Sequence, residues 1–131
     1  MAVMAFREPN RARWVGVRPG HDGTQVVKYA RAENATVIIH TVTAGKTLFL
    51  CGLMGSVFDN GGGQHTVVFV RDGADVFKYY LYWGENNASA GEPFSKSYWP
   101  PIEIPAGYDV CAQSTAAAHY INAIIDGWED A

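Results

Sequence analysis

The side chains that most often bind metals or act as nucleophiles are few in this sequence, and they are far apart. Cys51 and Cys111 both stand in apolar runs, and neither belongs to a CxxC pair. We interpret them as buried free thiols, with a disulfide between them as the alternative. None of the four histidines is part of an H-x-H or HExxH motif, so we interpret them as surface side chains of strands or loops: His21, His40, His65 and His119.

Acid–base pairs and phosphate-binding loops are not indicated either. No serine stands in a G-x-S-x-G motif, and the glycines 61–63 are followed by neither a Lys-Ser/Thr pair nor a helix. A glycosidase needs two carboxylates on either side of a cleft, and only Glu85, Glu92 and Glu103 are candidates for such a pair. We therefore predict that the chain is not an enzyme, has no catalytic or metal-binding residues and needs no cofactor.

The aromatic side chains are the most prominent candidates for binding. The chain has seven tyrosines and four tryptophans, more than a core of this size usually needs. Strict alternation in a strand over residues 75–83 places Phe77, Tyr79, Leu81 and Trp83 on one face and Lys78, Tyr80 and Tyr82 on the other. If the first face is the core, Tyr80 and Tyr82 point outward. The rings then pack over neighbouring side chains of their own strand, form a subunit interface or stack on a sugar. The candidates for a subunit interface or a sugar site are Tyr80, Tyr82, Tyr98 and Trp99.

Short strands and tight turns must position these side chains. Residues 36–42 and 47–54 are predicted strands, and Gly52 and Gly55 indicate a bulge or a close approach of another backbone. Residues 65–71 and 75–82 flank Asp72-Gly73, a strong hairpin signal. Residues 102–104 follow two prolines and are expected at a sheet edge, and residues 108–113 form the next strand. Turn residues recur every ~8 to 12 residues, which predicts an all-β sandwich or barrel.

Two segments leave alternatives open. Residues 83–97 are polar and predict a long loop, of a length that tends to be functional or mobile. At the C-terminus, Ala116–Ala118 favour a helix, whereas the isoleucines that follow favour a strand. We prefer a terminal strand over residues 119–128, with a helix as the alternative.

A repeated corner supports the sandwich. Val42-Thr-Ala-Gly45 and Ile104-Pro-Ala-Gly107 share an apolar residue and an Ala-Gly turn, and each precedes an apolar strand that contains a cysteine. Two halves of a jelly roll that turn their corners in the same way account for this pattern. We predict an all-β, jelly-roll-like antiparallel β-sandwich over residues 25–131, preceded by an extended N-terminal arm over residues 1–24.

The arm and the body have opposite charge. Residues 1–24 carry four arginines against Glu8 and Asp22, a net +2, whereas the remaining residues carry 6 basic and 11 acidic side chains, a net −5. Four arginines on a chain of net charge −3 predict no nucleic-acid partner. The arm is either a solvated terminus or a docking segment for an acidic partner or a sister subunit. The docking candidates are Arg7, Arg11, Arg13, Trp14 and Arg18.

Composition bounds the class of protein. The 131 residues are 48% apolar and 18% charged, which suits one folded domain and excludes an intrinsically disordered chain. No apolar run approaches the ~20 residues of a membrane span, and Arg7 and Glu8 come too early for a signal peptide. We therefore expect no membrane partner and a cytoplasmic site of synthesis and assembly.

Three segments carry a resemblance to a known family. The stretches 42–50 (VTAGKTLFL), 101–110 (PIEIPAGYDV) and 124–129 (IIDGWE) resemble jelly-roll domains of tailed-bacteriophage virions, and in particular the small capsid decoration (cement) proteins. The resemblance covers residues 36–129 and leaves the arm outside. Related β-sandwich domains occur in phage fibres and receptor-binding proteins, so a carbohydrate- or receptor-binding module is the alternative.

The resemblance implies a structural function. Proteins of this kind are commonly trimers that sit at threefold positions of the capsid, where they hold neighbouring coat subunits together. It therefore implies a homotrimer on the capsid exterior, with the major capsid (coat) protein as partner, assembled in the cytoplasm of the bacterial host. The arm would then reach the coat lattice, and no active site would be required.

Overall fold

The computed structural model describes residues 23–58, 65–85 and 92–131. These residues form eight strands and no helix. The strands are β1 (Thr24–Glu33), β2 (Ala35–Thr41), β3 (Thr47–Phe58), β4 (His65–Arg71), β5 (Phe77–Glu85), β6 (Glu92–Ile104), β7 (Asp109–Ser114) and β8 (Tyr120–Asp130). No helix in the described part of the chain is therefore long and apolar enough to cross a membrane.

The strands form two four-stranded antiparallel sheets. The first sheet has the order β1-β8-β3-β6 and the second has the order β2-β7-β4-β5. Consecutive strands thus cross from one sheet to the other, except for the β4–β5 hairpin. This is the eight-stranded jelly-roll arrangement, and it confirms the predicted fold class.

The core lies between the two sheets and is aliphatic. Alternate residues of each strand point inward, and the fully buried members come from both sheets. They include Leu48, Leu50, Leu53, Ile104, Ile121, Ile125, Val57, Val68, Val70 and Val110. The outer face of each sheet is therefore not part of this core.

The two Ala-Gly corners lie against each other. Gly45 and Gly107 both have positive φ (77° and 81°), a conformation that glycine adopts without steric cost. The backbone amide of Gly107 donates to the carbonyl of Val42 over 2.9 Å, and the amide of Val42 donates to the carbonyl of Tyr108 over 2.9 Å. The repeated sequence pattern therefore marks two neighbouring turns at one end of the sandwich.

Several strand predictions need correction. β1 was not predicted, because only Val26, Ala30 and Ala32 of its ten residues are buried. The predicted loop over residues 83–97 is wrong at both ends, since β5 continues to Glu85 and β6 begins at Glu92. The predicted loop tip, residues 86–91, and the glycines 61–63 lie outside the described residues.

Other predictions are confirmed. The C-terminal segment is a strand, β8, and not a helix. β6 is an edge strand, as its prolines indicated. Gly52 follows a register shift between β3 and its neighbours. A Cβ on Gly55 would lie 1.8 Å from the carbonyl oxygen of Asn122, so β3 and β8 approach closely there, as predicted.

Candidate interaction surface

The outer side of the second sheet is apolar at its centre. Strand register aligns Ile38, Cys111, Phe69 and Tyr80 in one row across β2, β7, β4 and β5. The next row consists of Thr36, Gln113, Val67 and Trp83, and the row on the other side ends in Phe77. We call the outward side chains of Ile38, Val67, Phe69, Phe77, Tyr80, Trp83 and Cys111 the aromatic face.

Two irregularities in β5 bring its aromatic residues to this face. The register with β4 skips Leu81 and again skips Lys78, so each skipped residue acts as a bulge that shifts the alternation by one. Phe77, Tyr80 and Trp83, three residues apart in sequence, consequently share the outer face. The prediction from strict alternation was wrong for Phe77 and Trp83, whereas the outward direction of Tyr80 is confirmed.

The rings of the aromatic face form a contact chain. The ring centroids of Phe69 and Phe77 are 6.0 Å apart, those of Phe77 and Tyr80 are 4.6 Å apart, and those of Tyr80 and Trp83 are 4.6 Å apart with an edge-to-face angle of 90°. These distances lie in the range that aromatic pairs prefer. Even so, Phe77, Tyr80 and Trp83 remain 47%, 48% and 45% exposed.

A buried thiol lies beneath these rings. Cys111 is fully buried and forms a small cluster with Val67 and Phe69. Burial raises the pKa of this thiol to about 11, which keeps it protonated and unreactive at neutral pH. Both cysteines are free, as predicted, but Cys51 is only half-buried and lies on the other sheet.

Polar side chains close the two ends of the aromatic face. At one end the amide nitrogen Nε2 of Gln113 donates to Thr36 Oγ1 over 2.8 Å. At the other end Arg71 Nε donates to Asp109 Oδ2 over 3.1 Å, and Thr41 Oγ1 donates to Asp109 Oδ1 over 2.6 Å. The charges at this rim are therefore paired, and the face itself presents aromatic and aliphatic atoms.

Two of the four predicted aromatic candidates point into the sandwich. Tyr82 stacks on Phe94 with a centroid separation of 4.0 Å, and both rings pack against the core. Tyr98 also packs against the core, and its hydroxyl donates to the carbonyl of Leu81 over 3.3 Å. The predicted outward direction of Tyr82 was wrong, because the bulge at Leu81 turns two consecutive residues inward.

Trp99 lies on the opposite side of the molecule. The pairing of β6 with β3 passes from Ser97 (opposite Gly52) to Ile102 (opposite Leu50), so residues 98–101 have no pairing partner on β3. Trp99 stands in this segment and is 67% exposed. It borders a groove of about 540 Å³ on the outer side of the first sheet. The candidates Tyr80 and Trp99 are thus on different faces.

A hydrogen-bonded carboxylate joins the two sheets inside the sandwich. Glu129 Oε2 of β8 is 2.6 Å from His40 Nε2 of β2 and accepts a hydrogen bond of 3.0 Å from the amide of Thr43. Burial alone would raise the pKa of Glu129, but the hydroxyl and amide of Thr43 and the ring of His40 outweigh it and lower that pKa. His40 therefore joins the two sheets and is not the surface residue that was expected.

The remaining candidates are dispersed or outside the described residues. Glu92 and Glu103 lie near opposite ends of β6, so they do not form the carboxylate pair that a glycosidase needs. Among the described residues no group of three or more His, Cys, Asp or Glu side chains could hold a metal ion. Five candidates for the docking arm lie outside the described residues: Arg7, Arg11, Arg13, Trp14 and Arg18. The boundary of the arm, at residue 24, stays a prediction.

Comparison with known proteins gives structural matches only. No family model and no curated protein sequence matches the chain. A pentameric capsid protein isolated from metagenomic phage sequences is 18% identical, with a TM-score of 0.52 over 77% of this chain and 61% of that chain. A chain of the cyanophage Pam1 capsid asymmetric unit is 11% identical, with a TM-score of 0.48 over 93% of this chain and 96% of that chain.

The match to the pentameric capsid protein concerns the fold alone. The chain spans about three fifths of the length of the pentameric capsid protein. At 18% identity the similarity shows a shared β-sandwich architecture. The roles of these proteins therefore enter only into the proposal below.

Proposed function

We propose that this protein is a structural component of a bacteriophage virion, which decorates and stabilises the capsid by binding the coat-protein lattice as a homotrimer. The observation that carries the proposal is the aromatic face. It is a sheet surface suited to protein contact, with paired charges at its rim. The proposed role is mechanical and involves no catalysis and no cofactor.

The size and composition of the aromatic face support subunit association. An aromatic side chain offers about 150–250 Å², so three rings that are about half exposed leave roughly 300 Å² of aromatic surface open to solvent. Apolar patches of a few hundred Å² on a monomer commonly mark interaction sites. Tyrosine, tryptophan and phenylalanine are also enriched in protein interfaces. We assign this face to contacts between subunits.

The fold supports the virion part of the proposal. Eight-stranded jelly rolls are common in viral capsids, and the pentameric phage capsid protein shares the architecture of this chain. The trimer, the position on the capsid exterior and assembly in the bacterial cytoplasm follow from the resemblance to decoration proteins. We propose that the arm, with Arg7, Arg11, Arg13, Trp14 and Arg18, binds the coat lattice, where charge would steer docking.

Co-sedimentation with capsids tests this function. The full chain and a deletion of residues 1–18 are each mixed with undecorated capsids of the phage that encodes the chain. The capsids are then pelleted. We expect the full chain to pellet and the deletion to stay in the supernatant while retaining its β-sheet circular dichroism. Failure of the full chain to pellet would contradict the function, and pelleting of the deletion would contradict the role of the arm.

The carbohydrate-binding alternative has less geometric support. It requires Tyr80, Tyr82, Trp83, Tyr98 and Trp99 to form one site. Tyr80 and Trp83 lie on the aromatic face, Tyr82 and Tyr98 pack inward, and Trp99 lies on the other sheet. A glycan array with the full chain tests this alternative: a sugar signal lost in Trp99→Ala but kept in Trp83→Ala would support it.

A further inference from the structure

An aromatic pair lies on the outer side of the first sheet. The rings of Phe49 on β3 and Trp128 on β8 are stacked, with centroids 5.1 Å apart and 14° between their planes. Phe49 faces outward, because its neighbours Leu48 and Leu50 are buried in the core. Trp128 faces outward as well, because the side chain of the next residue, Glu129, contacts the other sheet. We call Phe49 and Trp128 the stacked pair.

Trp128 is much more buried than other outward residues of the same sheet. Only 4% of it is exposed, whereas Val27, Tyr29 and Met54 are each more than half exposed. Trp128 nevertheless does not belong to the core cluster between the sheets. An indole on an outer sheet face is so inaccessible only when a segment beyond the sheet covers it.

The chain enters the first sheet directly beside this indole. Gly23 is the first described residue, and a Cβ on it would lie 2.6 Å from Cδ1 of Trp128 and 2.7 Å from the carbonyl oxygen of Glu129. Only a residue without a side chain permits such a close approach. The N-terminal arm is therefore attached to the sheet next to the stacked pair.

We propose that the stacked pair binds the indole of Trp14, from the arm of the same chain. Trp14 stands nine residues before Gly23, which corresponds to at most about 30 Å of extended chain. Pro19-Gly20, between the two, is a turn dipeptide, so the arm can return across the outer side of the first sheet. A third ring on the stacked pair gains both burial and ring–ring contact.

The composition of the arm favours Trp14 as the residue that binds. Among Phe, Trp and Tyr, the residues before Gly23 include only Phe6 and Trp14. Trp14 has the larger ring, and a loop from Trp14 to Gly23 costs less closure entropy than the longer loop from Phe6. Val15 and Val17 follow Trp14 and make this stretch of the arm apolar.

The net charges of the arm and the body act in the same direction. Residues 1–24 carry a net +2 and residues 25–131 a net −5, so electrostatic attraction keeps the arm near the body. The proposed contact itself is between apolar rings. It should therefore persist at high salt, whereas a contact made only by the arginines would weaken.

Fluorine NMR of the full chain labelled with 5-fluorotryptophan tests this contact. The chain has four tryptophans, and replacing each by phenylalanine assigns its signal. We expect Trp14 and Trp128 to show a small solvent isotope shift between H₂O and D₂O. The exposed side chains of Trp83 and Trp99 should show a large one. The difference should be the same at low and high salt.

Two variants locate the contact. Trp14→Ala should move the Trp128 signal and increase its solvent isotope shift about twofold, because the indole loses the ring that covers it. Phe49→Ser should have the same effect on the Trp14 signal. The matched controls are Phe6→Ala in the arm and Met54→Ser on the same sheet face, and neither should move these signals. Circular dichroism verifies folding, and Trp14→Ala alone decides if Phe49→Ser does not fold.

A mixing experiment distinguishes the chain's own arm from the arm of another copy. The labelled Phe49→Ser chain, which has an arm but no stacked pair, is mixed with an unlabelled chain that lacks residues 1–18. We expect the Trp14 signal to stay at its exposed position. Its return to the shielded position would assign the contact to a second copy and overturn the proposal.

Two further results would overturn the proposal. The first is a Trp14 side chain that is as exposed to solvent as Trp99 in the unmodified chain. The second is a Trp128 signal that is unchanged in Trp14→Ala, or that moves in Phe6→Ala instead. The inference does not depend on the capsid function, and the experiment uses no capsid, so either proposal can fail alone. If both hold, a coat lattice that binds Trp14 must displace it from the stacked pair.

Discussion

The outer faces of the two sheets differ although they belong to one sandwich. The second sheet presents the aromatic face, whose central row of Ile38, Cys111, Phe69 and Tyr80 has no charged member. The first sheet carries polar contacts instead: the hydroxyl of Tyr29 donates to Asn122 Oδ1 over 2.8 Å. Its exposed apolar side chains, Val27, Tyr29, Met54 and Trp99, are spread over three strands.

This difference is the reason for proposing the second sheet, and not the first, as the surface for subunit contact. A broad apolar sheet surface is buried from water only when a second broad surface covers it. The outer side of the first sheet instead carries the polar contact between Tyr29 and Asn122 and the groove beside Trp99. The same core thus supports two outer faces of different chemistry.

The largest expected effect comes from removing rings of the aromatic face. Replacing Tyr80 and Trp83 together by serine should weaken self-association by about 4 kcal/mol, because buried aromatic anchors each contribute about 2 kcal/mol or more to an interface. Light scattering over a concentration range measures the change as a shift from oligomer to monomer.

The matched control lies on the other sheet. Replacing Tyr29 and Met54 by serine removes exposed apolar surface of comparable kind from the first sheet and should leave the mass unchanged. If both double variants behave alike, or if the unmodified chain is a monomer at every concentration, the assignment of the aromatic face to subunit contact is wrong.

A smaller effect is expected from the close approach within the first sheet. Gly55→Ala would place a Cβ 1.8 Å from the carbonyl oxygen of Asn122, and the required backbone shift should cost about 3 kcal/mol. Gly52→Ala is the control, because its Cβ would make only ordinary contacts. Urea unfolding measures both variants. Equal stability of the two would contradict the tight β3–β8 contact.

The smallest effect concerns the reactivity of the two thiols and leaves the fold intact. Cys111 is fully buried beneath the aromatic face with its pKa raised to about 11, so it should stay protonated and unlabelled at pH 8. Half-buried Cys51 lines the groove beside Trp99 and should react first. A thiol reagent followed by peptide mass mapping distinguishes them, with Cys111 labelled only after urea is added. Faster labelling of Cys111 would mean that the aromatic face opens readily.

Local sequence signals gave much of the architecture. The hairpin at Asp72-Gly73 forms between β4 and β5, where the Asp72 carboxylate accepts hydrogen bonds from the amides of Ala74 (2.8 Å) and Val76 (3.0 Å). The two Ala-Gly corners were recognisable because only glycine adopts positive φ without cost. Turns of this kind depend only on a few residues that are neighbours in sequence, so they can be predicted without the tertiary structure.

Other features were missed because they depend on pairing partners. β1 has few buried residues, and it is ordered as a strand by its register with β8. The segment of β6 before its prolines is polar and predicts a loop, yet it pairs with β3 from Gly52 to Val57. Edge strands of this kind expose most of their side chains, so hydrophobic periodicity does not mark them.

The sequence by itself determined the all-β class, the aliphatic core and the corners between strands, because alternation and turn chemistry act over short distances. Only the tertiary structure decided which rings face outward. The bulges at Leu81 and Lys78 arise from the pairing of β5 with β4, and they reverse the direction of Trp83 and Tyr82. The groove beside Trp99 likewise exists only because the pairing of three strands brings Gly52, Asp126 and Trp99 together.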